Sequence, residues 1–175
     1  MSEVIEKMLS RRSVRAYKSD TVPKDIIEKI LEAGTFAATG MGKQSPVMLI
    51  ITKKEIRDRL SEMVRKAKGK EEGVDPFYGA PVAILVLADR NVSTYVYDGS
   101  LVMGNLMLAA YELGLGSCWI HQAKEVFQSE EGKNFLEEFG IKGDYEGIGT
   151  CVLGYAEGDI PEAKPRKDSY IYYAE

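Results

Sequence analysis

From Tyr97 to Leu113 the chain is apolar almost all the way round. Leu101, Val102, Met103, Leu106, Met107, Leu108, Ala109, Ala110 and Leu113 leave no polar stripe at helical spacing. A helix without a polar face must be covered on every side. It is therefore the central helix of its domain, or it is sealed by a partner chain. Gly114 and Gly116 end it. No stretch reaches the roughly 18 consecutive apolar residues that a membrane span requires, so the covering is protein and not lipid.

The flanking segments supply that cover. Val4, Ile5, Met8 and Leu9 recur at helical spacing and predict a short amphipathic helix. Pro23 opens a second helix, with Ile26, Ile27, Ile30 and Leu31 on one face and Gly34 as its stop. Val47 to Thr52 and Val82 to Leu87 are continuous aliphatic runs, expected as buried strands. Between them Ile56, Leu60, Met63, Val64 and Ala67 mark a third helix. The stretch from Lys68 to Pro81 is polar, bears glycine and is expected to be mobile, a small lid over an open pocket. Ser117 to Ile120 and Ile148 to Leu153 complete four strands, and Phe135, Leu136 and Phe139 place a late helix closed by Gly140. Helices alternating with buried strands imply an α+β or α/β sheet with helices on both faces.

At 175 residues the expectation is one domain, 1–175, with a composition (45% hydrophobic, 29% charged) ordinary for a globular protein. Met1-Ser2-Glu3 puts acid where a secretory signal would carry lysine or arginine. Two cysteines, Cys118 and Cys151, form neither a disulfide framework nor metal-ligand spacing, and one histidine, His121, builds no metal site. The setting expected is a reducing cytoplasm. A net charge of −4 disfavours nucleic acid as a partner.

Against that acidic background two basic clusters stand out: Arg11-Arg12-Ser13-Val14-Arg15 and Lys164-Pro165-Arg166. Arginine forks, a lysine and a serine hydroxyl together suit a phosphate monoester. The alternative for each cluster is ordinary solvated surface.

Four segments, in order, resemble the nitroreductase family of flavin mononucleotide enzymes. They are Arg11 to Arg15 with Ala16-Tyr17, and Ala37-Ala38-Thr39-Gly40-Met41-Gly42-Lys43-Gln44. Next come Asp98-Gly99-Ser100 through Gly104-Asn105-Leu106 to Gly114-Leu115-Gly116-Ser117-Cys118-Trp119-Ile120, then Gly154-Tyr155 with Lys164-Pro165-Arg166. The resemblance implies an α+β fold with a central mixed, mainly antiparallel sheet flanked by helices, in an intertwined homodimer. It also implies FMN as cofactor and NADH or NADPH as reductant. Hydride would pass to a small-molecule acceptor such as a nitroaromatic or quinone by a ping-pong mechanism.

By the same resemblance Arg11, Ser13, Arg15, Lys164 and Arg166 contact the phosphate and ribityl chain, with Arg12 either reaching the flavin or solvated. Thr39, Gly40, Gly42 and Gln44 belong to a loop that covers the flavin of the other subunit, although Gly42 stands where the family commonly has asparagine. Trp119, Ile120, His121 and Gln122 pass the ring near its reactive nitrogen. Trp119 could equally fill the core and His121 be a plain loop residue. No side chain is required as acid or base. Relatives that dehalogenate iodotyrosine or fragment the flavin, and a flavin-binding sensor or store without turnover, are the alternatives.

Overall fold

The computed structural model describes residues 2–174, so Met1 and Glu175, which fall within the expected single domain, lie outside the described residues. In chain order the elements are α1 (Glu3–Ser10), α2 (Lys24–Thr35), β1 (Pro46–Ile51), α3 (Lys54–Ala67), β2 (Val82–Asp89), α4 (Tyr95–Glu112), β3 (Gly116–Ile120), α5 (Ala123–Gln128), α6 (Glu130–Glu138) and β4 (Tyr145–Gly154). The strands form one sheet in the order β1-β2-β4-β3.

Every strand pairing in that sheet is antiparallel. The expected mixed character shrinks, within the chain, to one isolated parallel bridge between Ser13 and Ser117. Helices cover both faces. Ala83, Leu85 and Leu87 of β2 join Leu60, Phe127 and Phe135 in one core, while Val82, Ile84, Val86 and Ala88 join Ile30, Met103 and Leu106 in the other. Being covered twice is why β2 reads as an unbroken apolar run.

α4 departs from its expectation in an informative way. Its Asp98, Val102, Met103, Leu106 and Ala110 are buried, but Leu101 is 50% exposed and Tyr97 72% exposed. Within one chain this apolar helix is covered on one side only. α1 is more extreme: none of its residues is buried, and Val4, Ile5, Met8 and Leu9 all face outward. A Lys7–Glu112 ion pair at 3.0 Å joins it to α4.

The stretch between Lys68 and Pro81 is anchored at its C-terminal end, while residues 69–74 are exposed. The Asp75 carboxylate accepts from Ser61 Oγ at 2.6 Å, from the Phe77 amide at 2.9 Å and from the Gly79 amide at 2.8 Å, and it pairs with Arg57. Phe77 is fully buried beneath it. A polar composition concealed a carboxylate that satisfies the turn's own amides. Among the described residues no helix is long and apolar enough to cross a membrane.

Candidate functional site

After α1 the chain runs extended along the sheet. The Val14 amide donates to the Ser117 carbonyl at 3.0 Å, and the Tyr17 hydroxyl donates to the Val14 carbonyl at 2.8 Å. Val14 and Tyr17 are buried in the core, which leaves their neighbours Ser13 and Arg15 to the other side of the strand-like segment. Further on, Lys18 N donates to Tyr155 O and Glu157 N to Ala16 O, each at 2.9 Å.

This path gathers charge around Cys118 of β3. Burial pushes the Cys118 thiol up; Arg15, a hydrogen bond with the Ser13 side chain, Lys68 and Arg11 all pull the other way without overcoming it. The thiol is thus a neutral, 3% exposed core group. The charges of three cations, from two different parts of the chain, are felt at this thiol. Arg11 Nη1 is buried with no hydrogen-bond partner. A buried guanidinium nitrogen without an acceptor is a costly arrangement unless an anion completes it. Cys151, fully buried, is pushed up to about 12 by burial and belongs to the core.

Lys68 was not among the residues picked out from the sequence. Its ammonium is pulled down by burial, partly offset by Cys118. Only the folding of the chain brings its charge within reach of Cys118, fifty residues on. Arg12 is divided: its Nη1 donates to the Leu9 and Arg11 carbonyls, each at 2.7 Å, at the end of α1, while its Nε is buried without a partner, as Arg11 Nη1 is.

The loop after α2 is rigidly built. Thr39 Oγ1 accepts from the Gln44 amide at 3.1 Å, and the Gly40 amide donates to Asp98 Oδ1 at 2.9 Å. Met41, Gly42 and Gln44 all have positive φ, at 54°, 66° and 50°. Asparagine also enters this left-handed region, so glycine at position 42 removes a side-chain hydrogen-bonding group without requiring a different loop path.

At the other end of β3, Ile120 is buried, and His121 and the half-buried Gln122 lead into α5. Trp119 Nε1 and Gln122 Oε1 are both buried without partners. Lys164 and Arg166 are exposed on the tail beyond β4, and among the described residues neither forms a hydrogen bond or ion pair with the Arg11 cluster. What the fold brings to the cluster is the root of that tail, through the Tyr17–Ala156 bridge.

The arrangement can bind an anion and an adjoining flat polar group. Among the described residues no set of His, Cys, Asp and Glu could hold a metal ion.

The sequence profile of the nitroreductase family matches residues 8–155. A protein of Archaeoglobus fulgidus, provisionally named an NADH dehydrogenase/NAD(P)H nitroreductase, is 33% identical over 174 residues, spanning 95% of this chain and 94% of its own. An FMN reductase (NAD(P)H) of Bacillus subtilis is 26% identical over 139 residues, which cover 67% of this chain but 53% of that protein. The crystal structure of a nitroreductase with bound FMN from Bacteroides fragilis superposes with a TM-score of 0.93 over 100% of both chains, at 28% identity.

Proposed function

Because the chain belongs to the nitroreductase family, we propose that it is an FMN-dependent oxidoreductase drawing hydride from NADH or NADPH. The observation that carries the cofactor assignment is the buried, unpartnered Arg11 Nη1 and Arg12 Nε, in the chain segment that also bears Ser13 and Arg15. That donor set fits a phosphate monoester with a polar chain attached. FMN is bound in the Bacteroides fragilis structure, which this chain resembles along its full length.

Arg11, Ser13 and Arg15 would hold the phosphate and ribityl chain, joined by Lys164 and Arg166 from the tail. The unsatisfied Trp119 Nε1 and Gln122 Oε1, with the backbone from Ile120 to His121, would border the ring. When bound, the flavin supplies the hydride chemistry, and the protein supplies binding, orientation and electrostatics. Acceptor choice then falls to shape and electron affinity. The short 68–81 stretch and the short β2–α4 connection (90–94) add no bulky cover, which supports flat acceptors such as nitroaromatics and quinones. Donor and acceptor would share one exposed ring face in turn, giving ping-pong kinetics.

The working unit we propose is an intertwined homodimer. The outward apolar residues of α1, Tyr97 and Leu101 of α4, and Ile160, Tyr170, Ile171, Tyr172 and Tyr173 of the tail are large apolar side chains left exposed in the single chain, which supports their burial against a second copy. Thr39, Gly40, Gly42 and Gln44 would then cover the flavin of the second copy. Anaerobic mixing of the flavin-loaded protein with NADH or NADPH tests the activity: bleaching supports an enzyme, and a flavin that neither nicotinamide reduces supports a binding protein.

A further inference from the structure

The loop at residues 39–45 is strained and exposed at once. Met41 and Gln44 are non-glycine residues with φ of 54° and 50°, and Met41 is 82% exposed. Such a backbone persists only where its surroundings over-determine it. Packing of the Met41 and Gln44 side chains cannot be what holds it, since both face outward.

Hydrogen bonds within the loop, among them the Gln44 amide to Thr39 Oγ1, shape it, and a buried carboxylate on another element ties it to the rest of the fold. Asp98, in the first turn of α4 and 2% exposed, accepts from the Gly40 amide at 2.9 Å through Oδ1. Its Oδ2 accepts from Ser45 Oγ at 2.9 Å and from Thr94 Oγ1 at 3.1 Å. One carboxylate therefore grips the loop near both ends and locks it to the start of α4. The contact is too close for any side chain at position 40: a Cβ there would lie 2.3 Å from Thr94 Oγ1. Burial alone would raise this carboxyl, but its three hydrogen bonds outweigh that and hold it below the usual carboxylate range.

We infer that Asp98 is the positioning residue that presets loop 39–45 in its binding conformation before any ligand or second chain arrives. The inference rests on the reading that this loop covers the flavin ring. A loop fixed in advance loses little conformational freedom on binding, so its contacts appear in full as affinity. Asp98 also lies beside Tyr97 and one turn from Leu101, both exposed on the face proposed to meet the second chain, so loop shape and assembly are tied to one helix end.

The test uses the whole chain, freed of flavin and then titrated with FMN and with riboflavin. Hydrogen exchange at the Gly40 amide reads loop positioning directly, with or without flavin. Asp98→Ala is expected to speed Gly40 exchange and to weaken both flavins by the same factor, about tenfold or more. Asp98→Asn keeps an oxygen for Gly40 and should stay within about threefold of the parent protein. A folded Asp98→Ala protein that keeps Gly40 protected, or binds both flavins unchanged, overturns the inference. Should Asp98→Ala fail to fold, Ser45→Ala and Thr94→Val each remove one hydroxyl donor. Faster Gly40 exchange with matched loss of both flavins then supports the role, and unchanged exchange refutes it. A parent protein that binds no flavin would contradict the proposed function, while the exchange comparison still judges Asp98.

Discussion

Tyr17 and Ala156 pair as an antiparallel bridge, so the tail leaves the sheet directly beside the segment that carries Arg11, Ser13 and Arg15. The same contact is reinforced by Glu157 N donating to Ala16 O at 2.9 Å. The tail that bears Lys164 and Arg166 is thereby rooted beside the first basic cluster, although those two residues lie further along it and are exposed.

That geometry yields a ligand-specific prediction. Arg15→Ala should weaken FMN binding by roughly 1.5–3 kcal/mol, the scale of a charged hydrogen bond, while leaving riboflavin nearly unaffected. Arg166→Ala should behave alike if the tail closes over the phosphate. Fluorescence titration with both flavins measures the difference, and equal losses would remove the phosphate from the site.

Asp75 predicts a pH signature in stability. Burial pushes its carboxyl up, but hydrogen bonds from Arg57, Ser61 and the Phe77 and Gly79 amides prevail and lower it. A carboxyl lowered on folding contributes stability that is complete above its unfolded value, about 3.9, and is lost as pH falls through the folded value. Asp75→Ala leaves the Arg57 guanidinium largely buried and short of a partner, so it should cost about 2–3 kcal/mol near neutrality. Denaturant unfolding across pH should show the gap between the two proteins constant near neutrality and closing below about pH 3.9. A gap that persists in acid would show the loss to be one of packing.

Assembly is open to a surface mutation. Leu101 and Met8 are 50% and 59% exposed in the single chain. Leu101→Lys or Met8→Glu would place charge within the apolar face that the homodimer is proposed to bury. Sedimentation of the parent chain should give a dimer wherever it is folded, because obligate interfaces of this kind commonly bury more than about 2,000 Å². Either variant should shift it to monomer and reduce flavin content together. A flavin-loaded monomeric parent would contradict both the dimer and the cross-subunit loop.

Trp119 is the one tryptophan in the sequence, so its emission is a clean probe. Its Nε1 lies 2.3 Å from where a Cβ on Gly149 would stand. Gly149→Ala must displace the indole, at a cost of about 1–3 kcal/mol for overpacking. Flavin should quench Trp119 emission in the parent protein, with the quenching reduced in Gly149→Ala. Emission indifferent to flavin would place the indole in the core and away from the ring.

The large layers were legible because their residues repeat a pattern. The aliphatic runs of β1 and β2 and the faces of α2 and α3 read directly as strands and helices. α5 was missed because only Ala123, Val126 and Phe127 point inward over six residues, too short a run for helical periodicity to stand out. The pinned turn around Asp75 was hidden because its order comes from one carboxylate and one buried phenylalanine, which composition averages away. Of the candidate site, Arg11, Ser13 and Arg15 are visible in the sequence as a dense motif, whereas Lys68 looks like one more lysine in a charged stretch. Its relation to Cys118, fifty residues on, exists only after folding. Arg12 is split between two roles: its Nη1 turns back to the helix end it caps, while its Nε stays buried without a partner.

The most direct test of the account is an anaerobic titration of the purified protein, with any bound yellow cofactor identified by mass. The account predicts that the released cofactor is FMN and that its visible absorption bleaches stoichiometrically on adding NADH or NADPH, returning when a quinone or nitroaromatic follows. A chain that carries no FMN after loading, or whose FMN stays oxidised with both nicotinamides, would contradict it.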